Sequence, residues 1–232
     1  FNHLLDGYLC VSKTVLESLD SININFKKKA NVLYNILDIE EVKLLGDSSK
    51  DPYKDIRNDS KILVTVCRMS DKSKAIFRQI DIAEALKAEG LNFKWIFVGE
   101  GSDLGRFKTL IDEKKLNNLI FPVGEKNNPY PYIKHADIVC VLSNYEGLSG
   151  VVNEAKILGK SIIATEFSGI YEQIEHGENG FIVKNNLESI IIGLKQLIKD
   201  DYLRTSLQNN FLGSGIGDNH LKIEKLSKII SQ

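Results

Sequence analysis

The chain has 232 residues, a formal net charge of -1 and a sequence pI near 6.5. This length holds one large α/β domain with a substantial core, or one domain with attachments. The bulk charge gives no support to a polyanion-binding surface, and no apolar run approaches the roughly 20 residues of a membrane-spanning helix. No signal-peptide pattern opens the chain, so we expect a cytoplasmic location.

Three cysteines, Cys10, Cys67 and Cys140, are scattered along the chain. Cys67 and Cys140 fall in apolar segments typical of strands. This placement predicts buried thiols in a reducing compartment rather than disulfides. No spacing of histidine, aspartate and cysteine indicates a metal site.

Short elements and one irregular segment are predicted in the first 60 residues. An apolar run at 8–11 predicts a buried strand, and Ser12 is placed to cap a helix that extends to about residue 19. The polar stretch 47–60 contains Pro52 and has no hydrophobic period, so we expect an exposed loop there.

Beyond residue 60, short apolar strands alternate with helical patterns. The predicted strands are 62–67, 94–98, 119–123, 138–142, 161–165 and 181–183. The predicted helices between them are 73–89, 104–114, 132–135, 151–158 and 171–176, followed by 187–199, 201–211 and 221–230, with a flexible break at 213–217. This alternation predicts βαβ units and an α/β fold with a Rossmann-like, doubly wound parallel sheet.

Polar residues and glycines follow the ends of five predicted strands. Ligands of open parallel sheets bind beyond the carboxyl ends of the strands, so these loops are expected to meet at one site. The residues concerned are Arg68, Gly99 to Gly101, Gly124, Asn144 to Glu146 and Glu166 to Gly169.

The segment E-G-L-S-G-V-V-N-E-A at 146–155 places two carboxylates around a predicted helix start. Ser149 is a plausible N-cap, with Glu146 in the loop and Glu154 in the helix. A helix N-terminus offers free backbone N–H groups and a dipole that favour an anion. An anion site with nearby carboxylates suits a sugar nucleotide, with the diphosphate on the amides and the sugar hydroxyls on the acids.

This Glu-x7-Glu segment resembles the signature of the retaining GT-B glycosyltransferases of family 4, also called group 1. Four further stretches are similar to the family and occur in its order, so that the resemblance covers 62–183. They are the R-x5-K of Arg68 to Lys74, the V-G-E-G ending at Gly101, Val123-Gly124 with the later Y-I-K-H-A-D-I, and the strand pair formed by G-K-S-I-I-A-T and G-E-N-G-F-I-V.

The resemblance implies roles for the charged residues. Arg68 and Lys74 would contact the phosphates, with Lys72 as the rival for the second position. Glu154 would accept both ribose hydroxyls, and Glu146 would face the transferred sugar. A departing nucleoside diphosphate has to be met by fixed cations and amides, which suits these residue types.

Glycines and backbone groups complete the site that the resemblance implies. The amides of Gly147, Leu148, Ser149 and Gly150 would hold the hexose or the distal phosphate. Gly99 and Gly101 would allow close approach of the nucleotide, with an ordinary turn as the alternative. Val123 and Gly124 would place backbone groups against the nucleobase. The reaction is expected to need neither a metal nor another cofactor.

The family pattern also predicts the domain organisation. Residues 1–28 would be the tail of an N-terminal acceptor domain, 29–212 the nucleotide-sugar-binding domain, and 213–232 a helix that returns toward the first domain. We expect a nucleotide sugar, with UDP favoured over GDP, and the missing N-terminal domain as partners. Nucleic acid is not expected, and membrane contact is expected only through the missing domain.

The sequence departs from the family at three places, and other functions stay open. Cys67 and Ala75 stand where glycines often occur, and 148–150 differs from the more frequent loop residues, so the sugar is not predicted. One alternative is a sugar-nucleotide epimerase or phosphorylase of GT-B shape, although no motif for either is present. The other is a non-catalytic nucleotide-binding module.

Overall fold

The computed structural model describes residues 7–22, 29–209 and 219–230. Its strands are β1 (Tyr8–Cys10), β2 (Ala30–Val32), β3 (Lys61–Val66), β4 (Phe93–Val98), β5 (Ile120–Gly124), β6 (Ile138–Val141), β7 (Ser161–Thr165) and β8 (Phe181–Val183). Its helices are α1 (Lys13–Ile22), α2 (Ile39–Asp47), α3 (Asp71–Lys74), α4 (Ile76–Ala88), α5 (Leu104–Glu113), α6 (Tyr130–His135), α7 (Gly150–Ile157), α8 (Leu187–Lys199), α9 (Asp201–Asn209) and α10 (Asn219–Ile230). No helix within these ranges is long and apolar enough to cross a bilayer.

The main sheet has six parallel strands in the order β5-β4-β3-β6-β7-β8. The chain thus builds outward from β3 in one direction and then from β6 in the other. This doubly wound order confirms the predicted fold, and it puts the point where the order reverses between β3 and β6. The strands β1 and β2 form a separate parallel pair.

The strands of the sheet are buried on both faces, as their continuous apolar runs predict. In β3, Ile62 and Val64 pack in the cluster that includes α7, whereas Leu63 packs on the other face with Trp95. All four residues are fully buried. Each strand of this sheet begins and ends within one residue of its predicted bounds, so the sheet holds its polar loops at a fixed edge.

The helix predicted at 73–89 is interrupted. Ala75 adopts a left-handed conformation with φ of 48°, which ends α3 and starts α4. The Asp71 carboxylate accepts the Phe77 N–H at 2.8 Å and satisfies a donor at the new helix start. The consequence is that Lys74 ends a short separate helix instead of lying inside a long one.

Two other predictions were wrong or incomplete. The helix predicted at 171–176 is only a 3₁₀ turn, Ile170–Glu172. Helix α2 was missed, although Asp38 caps it by accepting the Glu41 N–H at 2.9 Å. The flexible break predicted at 213–217 and the predicted end of α9 at 211 lie outside the described residues.

Candidate active site

The loops after the strands meet at the carboxyl edge of the sheet, as predicted. The Asn144 N–H, after β6, donates to the Ser73 C=O at 2.8 Å, which joins the two loops at the strand-order reversal. The Met69 N–H, after β3, donates to the Glu100 C=O, after β4, at 2.9 Å. Backbone hydrogen bonds therefore tie this edge into one rigid surface.

An open cleft of about 370 Å³ lies at this edge. Two of the predicted charged residues, Arg68 and Glu154, line it together with Gly99. The remaining lining residues are Val66, Cys67, Val98, Glu100, Glu125, Lys126, Pro129 and Val151. The structure thus brings the cation that follows β3 and the carboxylate of α7 to one cavity. Cys67, predicted as a buried thiol, instead lies at the cleft and is partly exposed.

The charged groups of the cleft are free to meet a ligand. Arg68 is exposed, and its guanidinium makes no hydrogen bond within the described residues. The Glu154 carboxylate likewise has no hydrogen-bond partner there, and burial raises the pKa of this carboxyl. A half-buried carboxylate without donors is costly to keep, and donors on a ligand would relieve that cost.

Lys74 and Glu146 form an ion pair beside the cleft. Lys74 Nζ lies 2.7 Å from Glu146 Oε1, and only 23% and 10% of the two side chains are exposed. The Ser143 hydroxyl donates to the same carboxylate oxygen. Lys72 is exposed and does not take part in this pair. Of the two lysines, Lys74 is therefore the one that contacts Glu146.

A relay of buried hydrogen bonds anchors the lysine segment to the core. The Trp95 indole N–H donates to the Thr65 hydroxyl at 3.0 Å, and this hydroxyl donates to Gln79 Oε1 at 2.8 Å. The Gln79 side-chain amide then donates to the Lys74 C=O at 3.0 Å. These groups fix the backbone from which Lys74 reaches Glu146.

Most of the amides expected to bind the donor at the N-terminus of α7 have no acceptor among the described residues. Ser149 is the N-cap residue, as predicted, but its side chain makes no capping hydrogen bond. The Ser149 N–H donates to Gln173 Oε1 at 2.8 Å, so this amide is engaged within the protein. Among the described residues, the N–H groups of Gly147, Leu148 and Gly150 have no acceptor. Three of the four expected donors are thus available.

Close backbone packing within the chain explains why glycine occupies positions 99 and 101. A Cβ on Gly99, whose φ is +140°, would lie 1.9 Å from the Cys67 C=O oxygen, and one on Gly101 would lie 2.4 Å from that of Met69. The two glycines therefore let the β3 and β4 loops pack backbone against backbone. Only Gly99 of the pair also lines the cleft.

The predicted base-contacting residues end β5. Val123 packs against the apolar core on the α7 side of the sheet. The Gly124 C=O accepts the Gly99 N–H at 2.9 Å. The residues that follow, Glu125 and Lys126, line the cleft. They were not singled out by sequence reasoning, although their position directly after a strand end is a usable signal.

The first described segment packs against the site through Glu172. Its carboxylate accepts the N–H groups of Lys13 and Thr14, both at 2.9 Å, the Thr14 hydroxyl and the Tyr34 hydroxyl. Burial raises the pKa of Glu172, but these hydrogen bonds outweigh burial and lower it overall. The carboxylate thus stabilises the α1 N-terminus.

A second pocket, of about 420 Å³, lies where α1 meets the loop after β6. Its lining residues are Val15, Asn144, Tyr145, Glu146, Gly147 and Ser168. Gly147 lies close to α1, since a Cβ there would approach Val15 Cγ2 to 2.9 Å. Glu146 therefore lines this second pocket as well as pairing with Lys74 beside the cleft.

The chain matches one protein family over most of its length. The profile described as glycosyl transferases group 1 covers residues 48–211. One relative is the N-acetylgalactosamine-N,N'-diacetylbacillosaminyl-diphospho-undecaprenol 4-alpha-N-acetylgalactosaminyltransferase of Campylobacter jejuni. The two sequences are 30% identical over 184 residues, and this aligned region makes up 78% of this chain and 48% of that protein. It is 28% identical over 145 residues to the poly(ribitol-phosphate) alpha-N-acetylglucosaminyltransferase of Staphylococcus aureus, covering 62% and 29%. The chain spans about half the length, or less, of these two relatives.

Solved structures share the fold. HepE of Anabaena, solved with UDP and glucose, superposes with a TM-score of 0.85 at 19% identity, over 100% of this chain and 64% of that one. TarM of Staphylococcus aureus, solved with fondaparinux, alpha-GlcNAc-glycerol and UDP, gives a TM-score of 0.82 at 22% identity, over 99% and 45%. At these identities the likeness shows the GT-B fold. With the family profile covering most of its length, the chain belongs to the glycosyl transferases group 1 family.

Proposed function

We propose that this chain is the donor-binding part of a retaining glycosyltransferase. It would transfer a sugar from a nucleoside diphosphate sugar to an acceptor, in the synthesis of a bacterial surface polysaccharide or glycolipid. The observation that carries the proposal is the cleft at the reversal of strand order, where the Arg68 guanidinium and the Glu154 carboxylate lie together with no hydrogen-bond partner among the described residues. A diphosphate and a ribose would supply the anion and the hydroxyl groups that this pair lacks.

The proposed roles follow from the charge that develops in the reaction. When the glycosidic bond to phosphate breaks, negative charge grows on the departing diphosphate. Arg68, Lys74 and the free amides of Gly147, Leu148 and Gly150 would stabilise that charge. The Lys74 C=O accepts from the Gln79 side chain and the Ser149 N–H donates to the Gln173 side chain, so the backbone that carries the lysine and the amides needs little reorganisation when the donor binds.

Glu154 and Glu146 would hold different parts of the donor. Glu154, one turn into α7, would accept hydrogen bonds from the ribose hydroxyls in the cleft. Glu146 lies in the loop before α7, with its carboxylate against Lys74, and would face the transferred sugar as positive charge develops there. The nucleobase would lie toward Val123, Gly124 and Glu125.

We propose a UDP-linked donor. The support is indirect, since structures of HepE hold UDP, UDP-glucose, or UDP and glucose. The names of the two relatives described above specify an N-acetylhexosamine as the transferred sugar. These names describe the substrates of the relatives. For this chain, the base, the sugar and the acceptor have to be determined by experiment.

We further propose that residues 29–212 form the donor-binding unit. Residues 1–28 and 213–232 would associate with an acceptor-binding domain. The contacts of Glu172 with Lys13 and Thr14 would then join the two parts of the enzyme. Because transfer requires donor and acceptor to be held together, we expect the chain by itself to bind the nucleotide without transferring sugar.

The function is tested by binding first and by stereochemistry second. A thermal-shift screen of UDP, GDP and ADP against the chain should show stabilisation by UDP that rises with its concentration. In the enzyme that contains this chain, NMR of the product should show the anomeric configuration of the donor retained. Inversion would contradict the retaining mechanism. Stabilisation by none of the nucleotides would contradict the proposed site.

A further inference from the structure

The buried side chain of Gln173 makes hydrogen bonds to the N-cap residue of α7. Gln173 follows the 3₁₀ turn after β7 and is 7% exposed. Its Oε1 accepts the Ser149 N–H at 2.8 Å, while its Nε2 donates to the Ser149 C=O at 2.7 Å and to Asn153 Oδ1 at 2.9 Å. The backbone N–H and the backbone C=O of Ser149 are thus both fixed by a single side-chain amide.

Helix α7 also makes a hydrogen bond to the backbone of Gln173. The Lys156 ammonium donates to the Gln173 C=O. Lys156 is 4% exposed, and burial lowers its pKa to about 8. Ser149, Asn153 and Lys156 are spaced i, i+4 and i+7, which is one face of a helix. This face of α7 therefore makes hydrogen bonds to both the side chain and the backbone of Gln173.

The segment around Gln173 packs against the glycine loop at a second point. A Cβ on Gly169 would lie 1.7 Å from the Gly147 C=O oxygen, so the two backbones are in direct contact. The loop after β7 thus supports the residues whose amides are proposed to bind the diphosphate. Glu154 directly follows Asn153, so a shift of α7 would move this carboxylate together with the amides.

We propose that Gln173 is a positioning residue for donor binding, which fixes where the N-terminus of α7 meets the diphosphate. The inference rests on the proposed function. Within the described residues, only Gln173 accepts a hydrogen bond from the Ser149 N–H. A cap supplied from another element sets the direction of the helix as well as its stability.

The test compares UDP and uridine binding by calorimetry in two variants. Gln173→Met keeps the length of the side chain but removes all three hydrogen bonds, and Asn153→Ala removes one. We expect UDP affinity to fall by roughly tenfold in Gln173→Met, and by less in Asn153→Ala. Uridine, which has no phosphate, should lose less affinity than UDP in each variant.

A matched control separates positioning from stability. Ile190→Val lies on α8, on the opposite side of the sheet, and loosens the core without touching α7. At a temperature where all variants are folded, its UDP affinity should equal that of the wild type. If Gln173→Met and Asn153→Ala also bind UDP like the wild type, the inference is overturned. If Gln173→Met does not fold, Asn153→Ala decides alone. Absence of UDP binding by the wild type would instead overturn the proposed function, and this inference with it.

Discussion

Lys74 Nζ lies 2.7 Å from Glu146 Oε1, and the pair joins the segment after β3 to the loop after β6. Both side chains are mostly buried, so the lysine is the cation that balances the carboxylate in the unliganded protein. Removal of either group leaves the other in a poorly solvated place, where the cost exceeds that of a surface pair. The pair is therefore a structural link as well as a part of the proposed site.

This arrangement predicts energetic coupling between the two residues. Lys74→Met should lower the free energy of unfolding by about 1–3 kcal/mol because it leaves the Glu146 carboxylate without its cation. In the double variant Lys74→Met with Glu146→Gln, the loss of unfolding free energy should be smaller than the sum of the two single losses. The difference should be about 0.5 kcal/mol or more. Urea denaturation measures both quantities. The exposed Lys72→Met serves as the control, with a change within about 0.5 kcal/mol. Additive losses would show that the pair contributes no coupling.

Glu146 is expected to act in the reaction more than in nucleotide binding. Glu146→Gln should leave UDP affinity within about twofold of the wild type, while kcat falls by tenfold or more, or about 1.4 kcal/mol of transition-state stabilisation. The physical reason is that, in the proposed site, the carboxylate would face the sugar, where positive charge develops only in the transition state. Calorimetry with UDP and initial rates with donor and acceptor check the two parts. Equal losses of UDP affinity in Glu146→Gln and Glu154→Gln would contradict this division.

Glu154 is expected to reduce the stability of the unliganded protein. Its pKa is raised by burial, so the ionised form is disfavoured in the folded state above that raised value. Glu154→Gln should therefore raise Tm at pH 7, while it weakens UDP binding. The gain in Tm should shrink as the pH falls through the raised folded pKa toward the ordinary carboxyl value of 4.5, because the buried carboxyl then takes up a proton. A Tm difference that stays constant as the pH falls from 7 to below the ordinary value would argue against the burial cost.

Glu172 is expected to stabilise the packing of α1. Its pKa is lowered by hydrogen bonds despite burial, so it contributes stability above the ordinary value of 4.5, and this contribution is lost as the pH falls through its folded pKa. Glu172→Ala should cost about 1 kcal/mol, as loss of a helix cap does. Hydrogen exchange of the Lys13 and Thr14 amides should become faster. Unchanged exchange would indicate that the four contacts with Glu172 are not maintained in solution.

The sheet could be predicted from the sequence because its strands are apolar runs buried on both faces. The edge of the sheet followed from the same pattern, since polar residues such as Arg68 and Glu146 come directly after those runs. The break at Ala75 could not be predicted from local preference, because an alanine rarely adopts positive φ. It is stabilised by a carboxylate, Asp71, and a tertiary contact to the Ser73 backbone.

Residues that act through contacts distant in sequence were also missed. Gln173 lies 24 residues from Ser149 along the chain, and nothing in its local sequence marks it as polar and buried. Glu172 caps a helix 158 residues away. Pairings of this kind depend on how segments distant in sequence fold together. The Glu-x7-Glu spacing, in contrast, is a local pattern within one loop and one helix, so it could be recognised from the sequence.

Calorimetry with UDP tests the proposal that Arg68 and Glu154 form the nucleotide site. The wild-type chain should bind UDP, and Arg68→Ala should bind it roughly tenfold to a hundredfold more weakly, since charged hydrogen bonds are worth about 1.5–3 kcal/mol. Glu154→Gln should weaken UDP and the UDP-sugar to the same extent. Lys72→Ala, an exposed cation on the same segment, should bind UDP like the wild type. Wild-type affinity in both Arg68→Ala and Glu154→Gln would contradict the account.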